Sequence, residues 1–156
     1  LAPLIADFVA MRETEGAALL DVVTTQLTRI SGYVDAAKAL LPDRSAAQEA
    51  AFRAGLARIL KDTDADEARV AQELATLTIK SDVMEEIDRL EAHVTAALGL
   101  LATDGPIGRK LDFLMQEFNR EANTLCSKSS DAALTAIGLD LKVTIDQMRE
   151  QIQNVE

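Results

Sequence analysis

GRKLDFLMQEFNREANTLCSKSS, residues 108–130, decides the fold class. Leu111, Leu114, Met115, Phe118, Ala122 and Leu125 recur at three- and four-residue spacing, the stripe of an amphipathic helix. The polar face is unusual. One line of it reads Asp112, Gln116, Asn119, Asn123, Ser127. Asn, Asp and Ser are poor helix formers, because their short side chains compete for backbone hydrogen bonds. A second polar line, Glu117, Glu121 and Lys128, borders the apolar stripe. Glu117 and Glu121 are four residues apart, where like charges repel by about 0.2–0.5 kcal/mol. A shared cation would offset that, and so would Arg12 or Arg120.

Outward from this helix the same period continues. Upstream, Val83, Ile87, Leu90, Val94, Ala97 and Leu101 form the seam of a segment over about 82–101. On its flank Asp82, Glu86, Arg89 and His93, the one histidine of the chain, fall within about 60° of arc at 100° per residue. ATDGPIG (102–108) is a turn by its Gly and Pro content, and SKSSD (127–131) breaks the helix and caps the next. The last helix, about 131–155, turns Leu134, Ile137, Leu141, Ile145, Met148, Ile152 and Val155 inward. At the other end a first helix is expected from near Pro3 to about Leu41, with Ile5, Phe8, Leu19, Val23, Leu27, Ile30, Val34, Ala37 and Leu41 at heptad-like spacing. Arg12 and Gly16 interrupt that stripe. Arg12 either snorkels at its edge or meets a carboxylate or ligand where helices converge. Pro42-Asp43 is expected to end the helix, because the residue before proline resists helical dihedrals. A second helix follows over about 44–61, with Phe52, Leu56, Ile59 and Leu60 inward, and a third over about 65–79. DTDAD (62–66) with Glu73 mimics a calcium loop, but Glu67 stands where that loop requires Gly, so it reads as a helix hairpin with acidic capping residues.

The expected fold is therefore all-α: long helical hairpins with coiled-coil-like packing and a helical bundle. Residues 1–81 read as a long hairpin arm and 82–156 as a motif-bearing bundle. With 156 residues the chain has enough length for a real core. No apolar run reaches the roughly 18–20 residues that span a bilayer, and no signal pattern is visible. A start at Leu1 rather than Met suits a piece of a longer protein. The single cysteine, Cys126, allows no disulfide within the chain and fits a reducing compartment.

Net charge is −10, the wrong sign for a generic nucleic-acid coat. The charge is uneven. Residues 62–91 carry ten acids and three bases, whereas residues 105–130 carry four bases and three acids, so the unusual helix is the least acidic part of an acidic chain. Two readings of its polar face stand side by side. One is a buried polar network that fixes helix register, since Asn and Gln suit interhelical bonding. The other is a groove for phosphate, ribose or base edges beside a carboxylate-bound metal. Mg²⁺ and Mn²⁺ favour oxygen ligands, and metal-assisted phosphodiester cleavage needs only carboxylates and water, to which a histidine can add. Glu86 and His93 are candidates from one helix, and Glu117 and Glu121 from the other; their spacing matches no specific metal motif. There is no glycine-rich phosphate loop and no zinc spacing. With four Phe, one Tyr and no Trp, mostly on apolar stripes, aromatic platforms for base stacking are not expected.

RETEG (12–16), EEIDRLEAHV (85–94), GRKLDFLMQEFNREANTLCSKS (108–129) and MREQIQNVE (148–156) together resemble the YicC-like bacterial proteins, described as metal-dependent endoribonucleases. Order and spacing agree over nearly the whole chain, which resembles the helical C-terminal region of that family; its members carry a further N-terminal domain. The resemblance implies a cytoplasmic homo-oligomer, a hexamer, acting on RNA with a metal, for which the carboxylate donors suit Mn²⁺ or Mg²⁺. The chemistry of the residue types in these matched stretches, with no ligand set taken from the family, makes His93, Glu117, Arg120 and Glu121 the expected catalytic residues. Glu86, Glu117 and Glu121 are the expected metal ligands. Arg12, Arg89, Asn119, Asn123 and Lys128 are the expected RNA contacts. The competing expectation is a non-catalytic scaffold or adaptor that assembles the oligomer and presents RNA or a partner nuclease.

Overall fold

The computed structural model describes residues 2–62, 67–80, 82–103 and 105–153. Among these every regular element is a helix: α1 (Ala2–Asp62), α2 (Glu67–Lys80), α3 (Met84–Leu101), α4 (Gly108–Lys128) and α5 (Ala132–Gln153). The acidic DTDAD segment and Val155 lie largely or wholly outside the described residues.

α1 packs on α3 and α5, and α4 packs on α3 and α5, so these four helices close a four-sided bundle. Each contributes the apolar stripe its period dictates. Val23, Leu27, Ile30, Val34 and Ala37 come from α1, and Ile87, Leu90, Val94 and Ala97 from α3. The whole α4 stripe from Leu111 to Leu125 is buried, as are Leu134, Leu141, Ile145, Met148 and Ile152 of α5. Phe118 is the largest fully buried side chain; truncating such a residue to Ala costs roughly 3–5 kcal/mol. α4 and α5 approach closely at Gly138, where an added Cβ would lie 2.4 Å from Cys126 Sγ.

The helix ends follow local chemistry. Asp82 Oδ1 accepts the Met84 N–H (2.9 Å) before α3, and Asp131 Oδ1 accepts the Leu134 N–H (2.8 Å) before α5. Between α4 and α5 the chain turns through Ser130, which takes φ 46°. Such a left-handed residue reverses the chain in very few steps.

α1 differs from expectation at two places. It does not end at Leu41. It runs 61 residues, about 90 Å, straight through Pro42. Proline removes one backbone hydrogen bond and crowds the carbonyl four residues back, at a cost of about 3 kcal/mol. Two features outweigh that stop signal. The residues beyond it, SAAQEAAFRAGLAR, are mostly strong helix formers. Arg44, two positions past the proline, donates from Nε to the Ser129 carbonyl (2.8 Å) and from Nη2 to the Lys128 carbonyl (3.0 Å). It thus satisfies orphan carbonyls at the C-terminus of α4 and anchors α1 to the bundle. The second difference is at the N-terminal end. Ile5 and Phe8, placed on the stripe by periodicity, are each 58% exposed, with Leu4, Val9 and Met11 exposed beside them.

Candidate metal centre in the groove between α3 and α4

α3 and α4 carry the chemistry because each presents a flank beside its buried seam. On α3 the seam residue Leu90 is followed three positions later by His93, at the edge of the core. On α4 Phe118 lies between Glu117 and, three positions on, Glu121. Packing the two seams brings the flanks together. One ligand atom from each of His93, Glu117 and Glu121 falls within 4.8 Å of the others; among the described residues this is the one such group of three. Glu121 is buried, while Glu117 and His93 are half-buried.

Each member is held differently. The His93 ring meets Phe118 edge-to-face, with centroids 5.6 Å apart and planes at 70°, which fixes the imidazole plane. Its Nε2 is buried and has no hydrogen-bond partner. Glu121 receives Arg89 Nη1 at 3.4 Å. Arg89 also binds Glu85 one turn back, and these two carboxylates, Glu85 foremost, hold its pKa above the ordinary arginine value. Glu117 pairs with Arg120 (Nη1–Oε2 3.7 Å), so the repulsion expected between the two glutamates is met by two separate guanidiniums. Arg12 plays no part in that.

The donor set fits a divalent cation. An orphaned buried ring nitrogen is costly, and a metal would satisfy it. Two carboxylates supply hard oxygens, and the atoms need close only from 4.8 Å toward the about 3 Å edge of an octahedron with bonds near 2.1 Å. One imidazole among the ligands suits Mn²⁺ better than Mg²⁺, which favours an all-oxygen shell.

The remaining expected site residues lie elsewhere or are engaged. Glu86, 3% exposed, stands outside the cluster and pairs with Lys128 (Nζ–Oε1 2.7 Å), while its Oε2 has no partner. That hydrogen bond, above all, raises the Lys128 pKa. Asn119 Nδ2 donates to Asp146 Oδ1 on α5 (3.1 Å). Asp112 accepts from Gln153 (3.1 Å) and Gln116 (3.0 Å), faces Arg149 (3.5 Å), and has its pKa lowered by these partners, Gln153 first. Two residues of the amide line, Asp112 and Asn119, therefore tie α4 to α5, at an exposed edge and not in the buried network that one reading expected. Asn123 is exposed. Arg12 is exposed at the other end of the bundle, where it pairs with Glu15 (3.9 Å). There it borders an apolar recess of about 520 Å³ that also includes Gly16, Ile107, Leu111 and Ile152. That recess contains none of the cluster residues. Arg44 and Phe113 were not singled out from sequence. Arg44 sits past the supposed helix break, and Phe113 falls off the α4 stripe and is 60% exposed.

Residues 36–156 match the family described as "Endoribonuclease YicC-like, C-terminal". A protein of Haemophilus influenzae, "Probable endoribonuclease YicC", is 44% identical over 155 residues, covering 98% of this chain and 53% of that protein. A protein of the same name from Clostridioides difficile is 47% identical over 91 residues, covering 58% of this chain and 31% of that protein. The chain thus spans about half the length, or less, of these curated relatives. No described helix is long and apolar enough to cross a membrane. The helical bundle, its His-Glu-Glu cluster and the match over most of its length place this chain in the YicC-like endoribonuclease family, in the C-terminal region of that family.

Proposed function

We propose that this chain is the site-bearing helical region of a metal-dependent endoribonuclease that cleaves RNA phosphodiester bonds as a cytoplasmic homo-oligomer, a hexamer. The observation that carries the reading is the convergence of His93, Glu117 and Glu121 around the unpartnered His93 Nε2. The relatives named probable endoribonucleases support it. Mn²⁺ or Mg²⁺, when bound, supplies Lewis acidity to the phosphate and an acidified water. Glu121, buried and steadied by Arg89, fixes where the cation sits. His93, its plane set by Phe118, completes that corner. Glu117 is the half-buried carboxylate of the three and accepts the proton of the attacking water. Arg120, 68% exposed and beside Glu117, turns outward to meet phosphate charge. Glu86 with Lys128 serves the architecture of the groove by tying α3 to α4, while Asn119 with Asp146 ties α4 to α5.

The test is RNA cleavage by the purified full-length protein, with Mn²⁺ and with chelator, beside Glu117→Gln and His93→Ala. Loss of about 100-fold or more in both variants, with helicity and oligomer mass unchanged, is expected. Cutting that survives in both removes the chemistry from this groove. The exposed apolar run Leu4, Ile5, Phe8, Val9 and Met11 favours the second reading, a non-catalytic scaffold. Wild-type protein that binds RNA without cutting it under any metal would establish that reading instead.

A further inference from the structure

We infer that the same α3–α4 groove continues into a base-stacking subsite for single-stranded RNA, with Phe113 as the platform and Arg109 and Lys110 as its phosphate contacts. The inference rests on the endoribonuclease reading for its choice of ligand. A shallow recess is bounded by Ala96, Leu100, Arg109, Lys110, Phe113 and Leu114. Its lining contains two cations and no acid, although the chain as a whole carries −10. Among the described residues, neither cation has an ion-pair partner.

The Phe113 ring is 60% exposed, while Phe118 on the same helix is fully buried. A large exposed aromatic ring costs solubility and gains nothing for the bundle, but an unstacked base can cover it. The small side chain of Ala96 on α3 lines the same recess as the ring. Phe113 is one helical turn before Glu117, about 6 Å of rise, and Lys110 is one turn of sequence before Leu114. Ala96 follows His93 by three residues on the same side of α3. A strand crossing the His-Glu-Glu cluster therefore runs directly onto the ring. A stacked base beside the cluster would hold the neighbouring phosphate still, and only a single strand can offer its base in this way. The signal for this subsite in the sequence is that Phe113 falls outside the α4 apolar stripe, a position that the small number of aromatic residues drew no attention to.

The experiment is fluorescence anisotropy of a labelled single-stranded oligoribonucleotide of mixed sequence, titrated with the full-length protein in chelator so that no cutting occurs. Phe113→Ala is expected to weaken binding about 5- to 100-fold, and Phe113→Leu nearly as much. Lys110→Gln should reduce the salt slope by about one. The chain has no tryptophan, so Phe113→Trp gives a lone fluorophore in this region. That variant should keep its affinity, and its emission should be quenched by the RNA. Binding unchanged in Phe113→Ala, or tryptophan emission unmoved by saturating RNA, overturns the subsite whatever cleavage does. Unchanged affinity with an altered oligomer mass overturns it too, and marks the face as a contact between copies. Cleavage by the wild type with Mn²⁺, measured separately, judges the nuclease reading; its failure beside a quenched tryptophan would leave the subsite standing.

Discussion

Arg89 on α3 reaches across to Glu121 on α4, Nη1 to Oε1 at 3.4 Å, and so neutralises the most deeply buried carboxylate of the cluster in the absence of a cation. Glu121 is 3% exposed at its side chain, whereas Arg89 is 46% exposed. The two partners are thus unequal: the acid is fixed by packing and the base is free to retreat. A buried charge left without a partner is strongly destabilising. Arg89→Met is therefore expected to lower the melting temperature of the cation-free protein. The same change removes a positive charge beside the bound cation, so Mn²⁺ should raise the melting temperature of the variant more than that of wild type. Thermal unfolding with Mn²⁺ and with chelator measures both. An equal rise in the two proteins would mean that the cation binds away from Glu121.

The pH dependence of stability has two limbs with opposite signs. Lys128 and Lys38 have raised pKa values, each through a hydrogen bond to a glutamate, Glu86 and Glu91 respectively. A raised base contributes stability that is complete below the ordinary lysine value of about 10.4 and is lost as pH climbs through the higher folded value. Asp112 has a lowered pKa, so its contribution is complete above about 3.9 and is lost as pH falls through the lower folded value. Urea midpoints should be flat between these limits as far as these groups are concerned. Lys128→Met strands the buried Glu86 and should destabilise at neutral pH. Adding Glu86→Gln should recover much of that loss and remove the Lys128 part of the alkaline limb. An alkaline limb unchanged in the double variant would show that Lys128 and Glu86 are not paired in solution.

The bundle was legible in the sequence wherever apolar spacing alone decides burial. The α4 stripe, the α1 run from Val23 to Ala37 and, on α5, Leu134, Leu141, Ile145, Met148 and Ile152 are buried as their period requires, with Ile137 of the same stripe partly buried. Ile5 and Phe8 share the period but not the burial, because spacing states which face is apolar and not whether another element covers it. The pairing of His93 with Glu117 and Glu121 was legible only as a set of candidates, since it depends on how two flanks meet across α3 and α4. Glu86 looked equivalent to Glu117 by charge and position, yet Lys128, 42 residues away, takes it. Local sequence cannot rank two glutamates by such a distant partner.

Pro42 is the clearest case of a local rule overridden by context, and it gives a direct test. In an interior helix position proline costs about 3 kcal/mol. It also restricts the unfolded chain, which returns about 0.4–1 kcal/mol to the folded state. With α1 continuous from Ala2 to Asp62, Pro42→Ala should stabilise the protein by about 2 kcal/mol, read from urea unfolding followed by far-ultraviolet circular dichroism. A helix that really ended at Leu41 would gain nothing from the change, since proline suits the first turn of a new helix. Arg44→Met supplies the complementary reading. It removes the donors to the Lys128 and Ser129 carbonyls, so it should destabilise the end of α4 and speed amide exchange in α1 beyond Pro42. Stabilisation by Pro42→Ala together with loosening by Arg44→Met would mean that the anchor on α4, and not the local sequence, keeps α1 in one piece.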